Sequence, residues 1–210
     1  MHRIILISVG PGGSDYVTFK AVKSAQRCEV IIGMRHQIAA IGEITGKTVY
    51  EESGIEEILN LIEQNEGKTV GVLVTGDAGI YSLSEKIKER FGRDSVIEIV
   101  PGISSVIAAF AGVKEQWLNV RIISVHGRPM DALYDAPNHE RVAVLCDKKN
   151  NSTEVVKVLS QLGMFNTNKT VYVCRNITFD NELAIKVDNI EDLSPPDENS
   201  KEIVLIVPSG

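Results

Sequence analysis

The most informative stretch for the fold class is IILISVGPGGSD at residues 4–15, because a run of apolar residues leads directly into a glycine-rich turn. A continuous apolar run with β-branched residues predicts a strand buried on both faces, as in a parallel sheet. Gly10, Gly12 and Gly13 permit a sharp turn and the close approach of a ligand to the backbone. The stretch has neither the Gly-Lys-Ser/Thr of a phosphate loop nor the third glycine of a dinucleotide fingerprint. These residues alone leave a small-molecule loop and a plain strand-to-helix turn as equal alternatives.

Strands and helices alternate through the rest of the first half of the chain. After the first strand, the pattern predicts further strands over 30–32, 48–50, 69–74 and 96–100, and helices over 15–28, 34–42, 55–64, 82–91 and 104–111. Asp15 is expected to cap the first of these helices. Short connections between alternating strands and helices predict right-handed βαβ units and a mostly parallel sheet.

The second half of the chain is richer in strands. The pattern predicts a helix over 153–162, strands over 120–125, 142–145, 170–174, 182–187 and 202–207, and a polar loop over 194–200. Consecutive strands with little room for helices predict a mixed sheet. We therefore predict two α/β domains, residues 1–114 with a mostly parallel sheet and residues 115–210 with a mixed one.

Composition narrows the class of protein. The 210 residues carry a formal net charge of −6, which disfavours nucleic acid as a partner because phosphate neutralisation supplies most of that affinity. The cysteines, Cys28, Cys146 and Cys174, form no CxxC pair, so we expect buried thiols rather than a zinc site or disulfides. No signal peptide and no run of about 20 apolar residues is present, which predicts a cytoplasmic protein without membrane association.

Two further turns follow predicted strands, TGDAGIYS at 75–82 and PGISS at 101–105. Asp77 suits a ligand hydroxyl or ammonium group, and Ser104 and Ser105 suit a polar ligand at the start of a helix. The alternative is that these side chains only cap the helices that follow. Because the carboxyl ends of parallel strands meet at one edge of a sheet, we expect the three turns to converge there.

SVGPGGSD, TGDAGIYS and PGISS, in this order and at this spacing, resemble the motifs of the tetrapyrrole methylases, which methylate with S-adenosylmethionine. The resemblance extends over essentially the whole chain and implies two α/β domains with the active site in the cleft between them. The family pattern has glycine where this chain has Ser8, and proline where it has Ala78. Ser124-Val125-His126-Gly127-Arg128 and the short loop from Gly10 to Thr18 further resemble the branch that methylates C5 of the corrin precursor cobalt-precorrin-7.

The resemblance also implies a set of site residues, with no metal and no catalytic side chain beyond those that position the reactants. The residues expected to hold S-adenosylmethionine, and its product S-adenosyl-L-homocysteine, are Pro11, Gly76, Asp77, Ile80, Ser104, Ser105, Leu145 and Cys146. Those expected against a polycarboxylated corrinoid substrate are Gly10, Gly12, Gly13, His126 and Arg128. Further candidates for its carboxylates are Arg35, Lys148 and Arg175, with His36 as an additional donor.

The function expected from the resemblance is C5 methylation of cobalt-precorrin-7 to cobalt-precorrin-8 in cobalamin biosynthesis. Alternatives are methylation at another precorrin position, diphthamide synthesis on a translation factor, ribosomal RNA methylation, or a nucleotide-binding module without catalysis. The resemblance further implies a homodimer. Contact with a partner enzyme that methylates C15 and decarboxylates is left open.

Overall fold

A computed structural model describes residues 1–197 and 200–209, and their contacts form two compact units, residues 1–105 and the residues from Val106 onward. This division lies at the start of the helix Ser105–Gly112. The domain boundary predicted between residues 114 and 115 stays a prediction. Of the predicted polar loop over 194–200, Glu198 and Asn199 lie outside the described residues, as does Gly210.

The first unit contains a parallel sheet. Its strands are β1 (Arg3–Ser8), β2 (Val30–Gly33), β3 (Thr48–Glu51), β4 (Thr69–Val74) and β5 (Val96–Val100). They lie in the order β3-β2-β4-β1-β5, and each neighbouring pair is parallel. The predicted parallel sheet is therefore confirmed. Because β1 lies between β4 and β5, the loop after β1 is flanked by the loops after β4 and β5.

Helices cover both faces of this sheet. They are α1 (Phe19–Arg27), α2 (Arg35–Ile41), α3 (Ile55–Gln64) and α4 (Ser84–Phe91). Ile5 and Ile7 of β1 belong to the core cluster that includes α1 and α2 residues, whereas Ile4 and Leu6 belong to the cluster that includes α3 and α4 residues. Successive side chains of a strand point to opposite faces, so the unbroken apolar run of β1 follows from burial on both sides.

The first helix begins later than the sequence predicts. Ser14–Tyr16 form a separate 3-10 turn, and the extended backbone of Val17 separates it from α1. The Oγ1 atom of Thr18 accepts a hydrogen bond from the Ala21 N–H at 3.1 Å. The prediction that Asp15 caps this helix is therefore wrong, because Asp15 lies inside the preceding turn and Thr18 occupies the cap position.

The second unit contains the mixed sheet. Its strands are β6 (Val120–Ser124), β7 (Arg141–Leu145), β8 (Lys169–Arg175), β9 (Leu183–Val187) and β10 (Glu202–Pro208), in the order β6-β7-β10-β8-β9. β6 and β7 are parallel, and the other neighbouring pairs are antiparallel. The helices are α5 (Ser105–Gly112) and α6 (Ser152–Gln161), and α6 buries Val155, Val156 and Leu159 in the core of this unit. The predicted mixed sheet is confirmed.

The three cysteines are buried, as the sequence predicts. Burial raises the pKa of the Cys28 thiol to about 11 and that of Cys174 to about 12. Burial, reinforced by the nearby Glu202 carboxylate, also raises the pKa of Cys146. All three thiols are therefore protonated near neutral pH and pack as small apolar groups. Among the residues that the structure describes, no helix is both long enough and apolar enough to cross a membrane.

Candidate functional site

The three turns of the first unit are joined by hydrogen bonds into one structure, which we call the glycine cluster (residues 8–13, 75–82 and 101–105). The first two turns are joined through their backbones, and the third is joined to the second through the Asp77 side chain. The Gly76 N–H donates to the Gly10 carbonyl at 2.7 Å, and the Gly10 N–H donates back to the Gly76 carbonyl at 3.3 Å. Gly10 has a φ of +77°, and a Cβ there would lie 2.7 Å from the Tyr16 carbonyl oxygen. A side chain at position 10 would therefore be both strained and blocked.

The glycine cluster lies where the chain leaves the sheet in two directions. The loop after β1 leads to α1 on one face, and the loop after β4 leads to α4 on the opposite face. Since β1 and β4 are neighbours and their connections go to opposite faces, their carboxyl ends form a topological switch point of the sheet. Ligands of open α/β sheets bind at such switch points. Strand order thus places the predicted loops at the position that binds ligands in this class of fold.

Asp77 connects the second and third loops. Its Oδ1 atom accepts the Gly79 N–H, and its Oδ2 atom accepts the Gly102 N–H, both at 2.8 Å. A Cβ on Gly102 would lie 2.5 Å from the Gly76 carbonyl oxygen, so the two loops are in close contact. Each carboxylate oxygen has a second lone pair for a ligand. The alternative that Asp77 caps the next helix is wrong, since α4 has Leu83 at its N-cap and no side-chain cap bond.

Ser8 and Ala78, the two departures from the family pattern, are hydrogen-bonded to each other. The buried Ser8 Oγ accepts the Ala78 N–H at 2.9 Å. The Ala78 carbonyl in turn accepts hydrogen bonds from Ser82 Oγ at 2.5 Å and Ser84 Oγ at 2.9 Å. The peptide groups on both sides of Ala78 are therefore held in place. Sequence analysis identified Ser8 and Ala78 separately, and nothing in their spacing indicates the bond.

The start of α2 supports the same loop. Gln37 donates from Nε2 to Thr75 Oγ1 at 2.9 Å, and His36 Nε2 lies 3.2 Å from the same oxygen. Gln37 also accepts the Met34 N–H at 2.7 Å through Oε1, so its buried amide is fixed at both ends. Sequence analysis considered His36 only as a hydrogen-bond donor to the carboxylates of the substrate. Its contact with Thr75 places it beside the second loop of the glycine cluster, and Thr75 and Gln37 were missed because their pairing is purely tertiary.

Tyr81 is the strained residue of the glycine cluster. Its φ of +45° is uncommon for a residue with a bulky side chain, and the side chain is half exposed. Such strain concentrates at ligand sites, where the surrounding structure holds it. Beside Tyr81, the half-buried side chain of Ile80 and the half-buried carboxylate of Asp77 provide an apolar group and a negative charge.

In the second unit, the segment Val125–Pro129, which we call the histidine–arginine loop, follows β6. The Val125 N–H donates to the Leu145 carbonyl at 3.0 Å, continuing the parallel pairing of β6 with β7. His126 Nδ1 lies 3.2 Å from the Cys146 carbonyl oxygen. Because a carbonyl oxygen only accepts, this hydrogen bond places the hydrogen on Nδ1. His126, Leu145 and Cys146, all predicted site residues, thus lie together.

Asp147 and Asn150 hold the histidine–arginine loop. Asp147 accepts the Gly127 N–H and the Asn150 N–H, each at 2.6 Å. Asn150 Nδ2 donates to the carbonyls of Val125 and Arg128, both at 2.9 Å. Burial alone would raise the pKa of Asp147, but hydrogen bonds from backbone N–H groups outweigh it and lower that pKa. Sequence analysis missed both residues, although an Asp and an Asn just after a strand are typical loop-capping residues.

Arg175 is not available to a ligand. Its Nε atom donates to Glu202 Oε1 at 2.8 Å, and a terminal nitrogen donates to the Ser194 carbonyl at 2.7 Å. The Arg175 and Glu202 side chains are only 10% and 3% exposed. The idea that Arg175 binds substrate carboxylates is therefore wrong, because a carboxylate of the protein already occupies the guanidinium. Arg35 and Lys148 are exposed and stay predictions.

The predicted site residues fall into two groups. Gly10, Gly12, Gly13 and Pro11 share the glycine cluster with Gly76, Asp77, Ile80, Ser104 and Ser105. His126, Arg128, Leu145 and Cys146 lie at the ends of β6 and β7. The roles of these residues, and the placement of the site in a cleft between domains, stay predictions. Among residues 1–197 and 200–209, no cluster of three or more His, Cys, Asp or Glu side chains could hold a metal.

The model of the family described as Tetrapyrrole (Corrin/Porphyrin) Methylases matches residues 3–194. A probable cobalt-precorrin-7 C(5)-methyltransferase of Methanocaldococcus jannaschii is 28% identical, and the match covers 92% of each chain. A cobalt-precorrin-4 C(11)-methyltransferase of the same organism is 29% identical, over 88% of this chain and 78% of the relative. The crystal structure of a precorrin-6Y methylase from Archaeoglobus fulgidus superposes with a TM-score of 0.74, at 21% identity, over 100% of this chain and 99% of the other.

The match confirms the family inferred from the three motifs, and the superposition confirms its α/β fold with two sheets. Methyl transfer from S-adenosylmethionine is the chemistry of this family. The alternative of a nucleotide-binding module without catalysis loses its support accordingly. The chain belongs to the tetrapyrrole methylase family and is an S-adenosylmethionine-dependent methyltransferase.

Proposed function

We propose that this protein methylates C5 of cobalt-precorrin-7, giving cobalt-precorrin-8, in cobalamin biosynthesis. The observation that carries the proposal is the match to a probable cobalt-precorrin-7 C(5)-methyltransferase over 92% of both chains. Identity alone does not separate the candidates, since the C(11)-methyltransferase is 29% identical. That relative is covered over only 78% of its length, however. The Ser-x-His-Gly-Arg segment at residues 124–128 also favours the C5 branch.

The glycine cluster has the chemistry to hold S-adenosylmethionine. Asp77 offers carboxylate lone pairs to an ammonium or a ribose hydroxyl group, and Ser105 offers a half-buried hydroxyl at the start of α5. Gly76 leaves room for a close approach, since the nearest atom to a Cβ there would be 3.8 Å away. Ile80 adds an apolar contact. A negative carboxylate also suits the positive charge of the methyl donor.

Positioning is the main task of this protein in the proposed reaction. The bound methyl donor carries its methyl group on a positive sulfur, which is a good leaving group for displacement by an electron-rich ring carbon. Holding two reactants in line at near-attack distance removes much of the barrier to such a step. The hydrogen bonds that fix Gly10, Gly76 and Asp77 to one another support this positioning role.

The histidine–arginine loop is proposed to bind carboxylates of the corrinoid ring. Arg128 is exposed, and its planar guanidinium can bind a carboxylate with two parallel hydrogen bonds. Because Asn150 holds the carbonyls of Val125 and Arg128, the backbone that presents this side chain is fixed. The orientation of the His126 ring is likewise held by its hydrogen bond to the Cys146 carbonyl.

The decisive experiment supplies the purified protein with S-adenosylmethionine and, in separate reactions, cobalt-precorrin-7 or cobalt-precorrin-4. We expect one methyl group to be added to cobalt-precorrin-7, mapped to C5 by NMR of the isolated product. Methylation of cobalt-precorrin-4 alone would replace the proposal with the C11 reaction. If neither compound were methylated, other tetrapyrroles would be the next substrates to test. A translation factor and ribosomal RNA would follow, although the net charge of −6 disfavours RNA.

Arg128→Met tests the substrate role of the histidine–arginine loop. Losing one bidentate carboxylate contact should raise the KM for the tetrapyrrole about tenfold, equivalent to about 1.4 kcal/mol. The affinity for S-adenosylhomocysteine, measured by calorimetry, should stay within a factor of two. Arg121→Met is the matched control, because Arg121 is an exposed arginine of the same unit that pairs with Asp135. If the two substitutions raised the KM for the tetrapyrrole equally, Arg128 would not be a substrate-binding residue.

Three further predictions do not depend on the methylated position. They are a homodimer, a cytoplasmic location and contact with a partner enzyme that methylates C15 and decarboxylates. Sedimentation equilibrium tests the first of these. A mass of twice the 23.0 kDa of one chain is expected, and a single-chain mass at all concentrations would contradict it. Co-purification from the native cell extract tests contact with the partner enzyme.

A further inference from the structure

The hydrogen bond between Ser8 and Ala78 joins the only two positions at which the glycine cluster was found to depart from the family pattern. Position 8 has glycine in that pattern and position 78 has proline. Proline has no N–H and glycine has no side-chain acceptor, so the family pair neither needs nor provides this bond. Here both partners are present and buried, with Ser8 0% and Ala78 2% exposed.

Burial makes the two departures depend on each other. An alanine at position 78 introduces a backbone N–H in a place without access to water, and a buried N–H without a partner is strongly unfavourable. The Ser8 hydroxyl lies 2.9 Å from that nitrogen and accepts its hydrogen. Ser8 also ends β1, directly before the turn at Gly10, so the bond connects the strand to the cofactor loop.

We propose that Ser8 and Ala78 form a coupled positioning pair that sets the place of Asp77 and thereby the affinity for the methyl donor. Ala78 follows Asp77 directly, and its carbonyl is held by Ser82 and Ser84. With the N–H of Ala78 held by Ser8, Asp77 is kept where its Oδ2 atom meets the Gly102 N–H. Ser8 acts through this loop and does not itself need to touch a ligand.

This inference rests on the proposed cofactor role of the glycine cluster, but not on C5 as the methylated position. A double-mutant cycle of Ser8→Ala, Ala78→Pro and the combination tests it, with S-adenosylhomocysteine affinity measured by calorimetry. Each single substitution leaves one buried partner unpaired and should weaken binding about tenfold. The double variant removes both partners and should bind no more weakly than either single one, because removing both can be nearly neutral.

Independent roles of Ser8 and Ala78 would give a different pattern. The two losses would then multiply to about a hundredfold in the double variant, as expected for independent sites. Ser95→Ala is the matched control, since Ser95 is a buried serine of the same unit that donates to the Phe91 carbonyl. It should leave the affinity within a factor of two. Multiplying losses, or no loss with Ser8→Ala, would overturn the proposal.

Amide hydrogen exchange followed by NMR tests the pair without any ligand. The Ala78 N–H should exchange at least about tenfold faster in Ser8→Ala than in the unsubstituted protein, because it loses its acceptor. Unchanged exchange would overturn the proposal even if Ala78→Pro failed to fold. Failure of the unsubstituted protein to bind S-adenosylhomocysteine would instead contradict the proposed function, so the two failures are distinguishable.

Discussion

The glycine cluster and the histidine–arginine loop are both held by side-chain hydrogen bonds, but the glycine cluster also depends on close contacts between backbones that only glycine permits. In the glycine cluster, Gly10 and Gly76 bond through their own backbones, and Gly102 lies too close to Gly76 to accept a side chain. In the histidine–arginine loop, the side chains of Asp147 and Asn150 hold the backbone. The close contact between Gly102 and Gly76 restricts which residues fit at these positions. In the histidine–arginine loop, the side chains at positions 126 and 128 are not needed to hold the backbone, so these positions can vary.

This difference suits the two roles that we propose. The methyl donor is the same for the whole family, so a rigid backbone cradle suits it. The relatives are named for methylation at different positions, C(5) and C(11), and exposed residues such as His126 and Arg128 can vary without loss of the loop's anchors. Substitutions in only one of the two regions test whether this difference holds.

The largest effect is expected at the buried ion pair behind the histidine–arginine loop. Glu202 accepts hydrogen bonds from Arg175 and from the N–H and hydroxyl of Ser152, the first residue of α6. Arg175→Met should leave a buried carboxylate without its cation and lower the free energy of unfolding by about 3–5 kcal/mol. Urea denaturation measures this. Arg128→Met, at an exposed arginine, should change the free energy of unfolding by less than about 0.5 kcal/mol. If the two substitutions lowered stability equally, Arg175 would not be a structural residue.

Gly102→Ala tests the glycine cluster. Its added Cβ would lie 2.5 Å from the Gly76 carbonyl oxygen and 2.6 Å from Ser8 Cβ, so the backbone must shift. We expect a loss of unfolding free energy of about 2 kcal/mol and at least tenfold weaker S-adenosylhomocysteine binding. Gly54→Ala is the control, because Gly54 has a φ of −72° and its Cβ would meet mainly the movable Glu57 carboxylate. Normal binding by Gly102→Ala would show that the close contact of the loops is dispensable.

Asp147→Asn tests the histidine–arginine loop and has the smallest expected effect. The lowered pKa of Asp147 means that its carboxylate stabilises the folded state above the unfolded pKa of about 3.9. That contribution is lost as the pH falls through the lower, folded pKa. The substituted protein should therefore be about 1 kcal/mol less stable at pH 7. This stability difference should begin to decrease as the pH falls below about 4.

Thermal unfolding from pH 7 to pH 3 measures this difference. Asp94→Asn, at an exposed aspartate of the first unit, provides the control curve. A stability difference that is constant over the whole range would show that the negative charge of Asp147 does not contribute. A raised KM for the tetrapyrrole with unchanged S-adenosylhomocysteine affinity would further separate the histidine–arginine loop from the glycine cluster.

Most strands and helices of this protein, and its family, were predictable from local sequence patterns. The apolar run before Gly10 already indicated a strand buried on both faces, since alternate residues such as Ile4 and Ile5 face different helices. The order of SVGPGGSD, TGDAGIYS and PGISS was enough to identify the tetrapyrrole methylases, because glycine turns at strand ends are local in sequence. The start of α1 was predicted wrongly, since a local pattern does not show which residue caps it.

The hydrogen-bond partners of these residues, by contrast, follow from the way the chain folds in three dimensions. Strand order placed β1 between β4 and β5, which makes Gly10 and Gly76 neighbours although they are far apart in the chain. The same folding turned Arg175 toward Glu202 and away from the role predicted for it, and it paired Ser8 with Ala78. Hydrogen bonds between distant segments depend on how the sheet is assembled, and residue spacing along the chain carries no record of them.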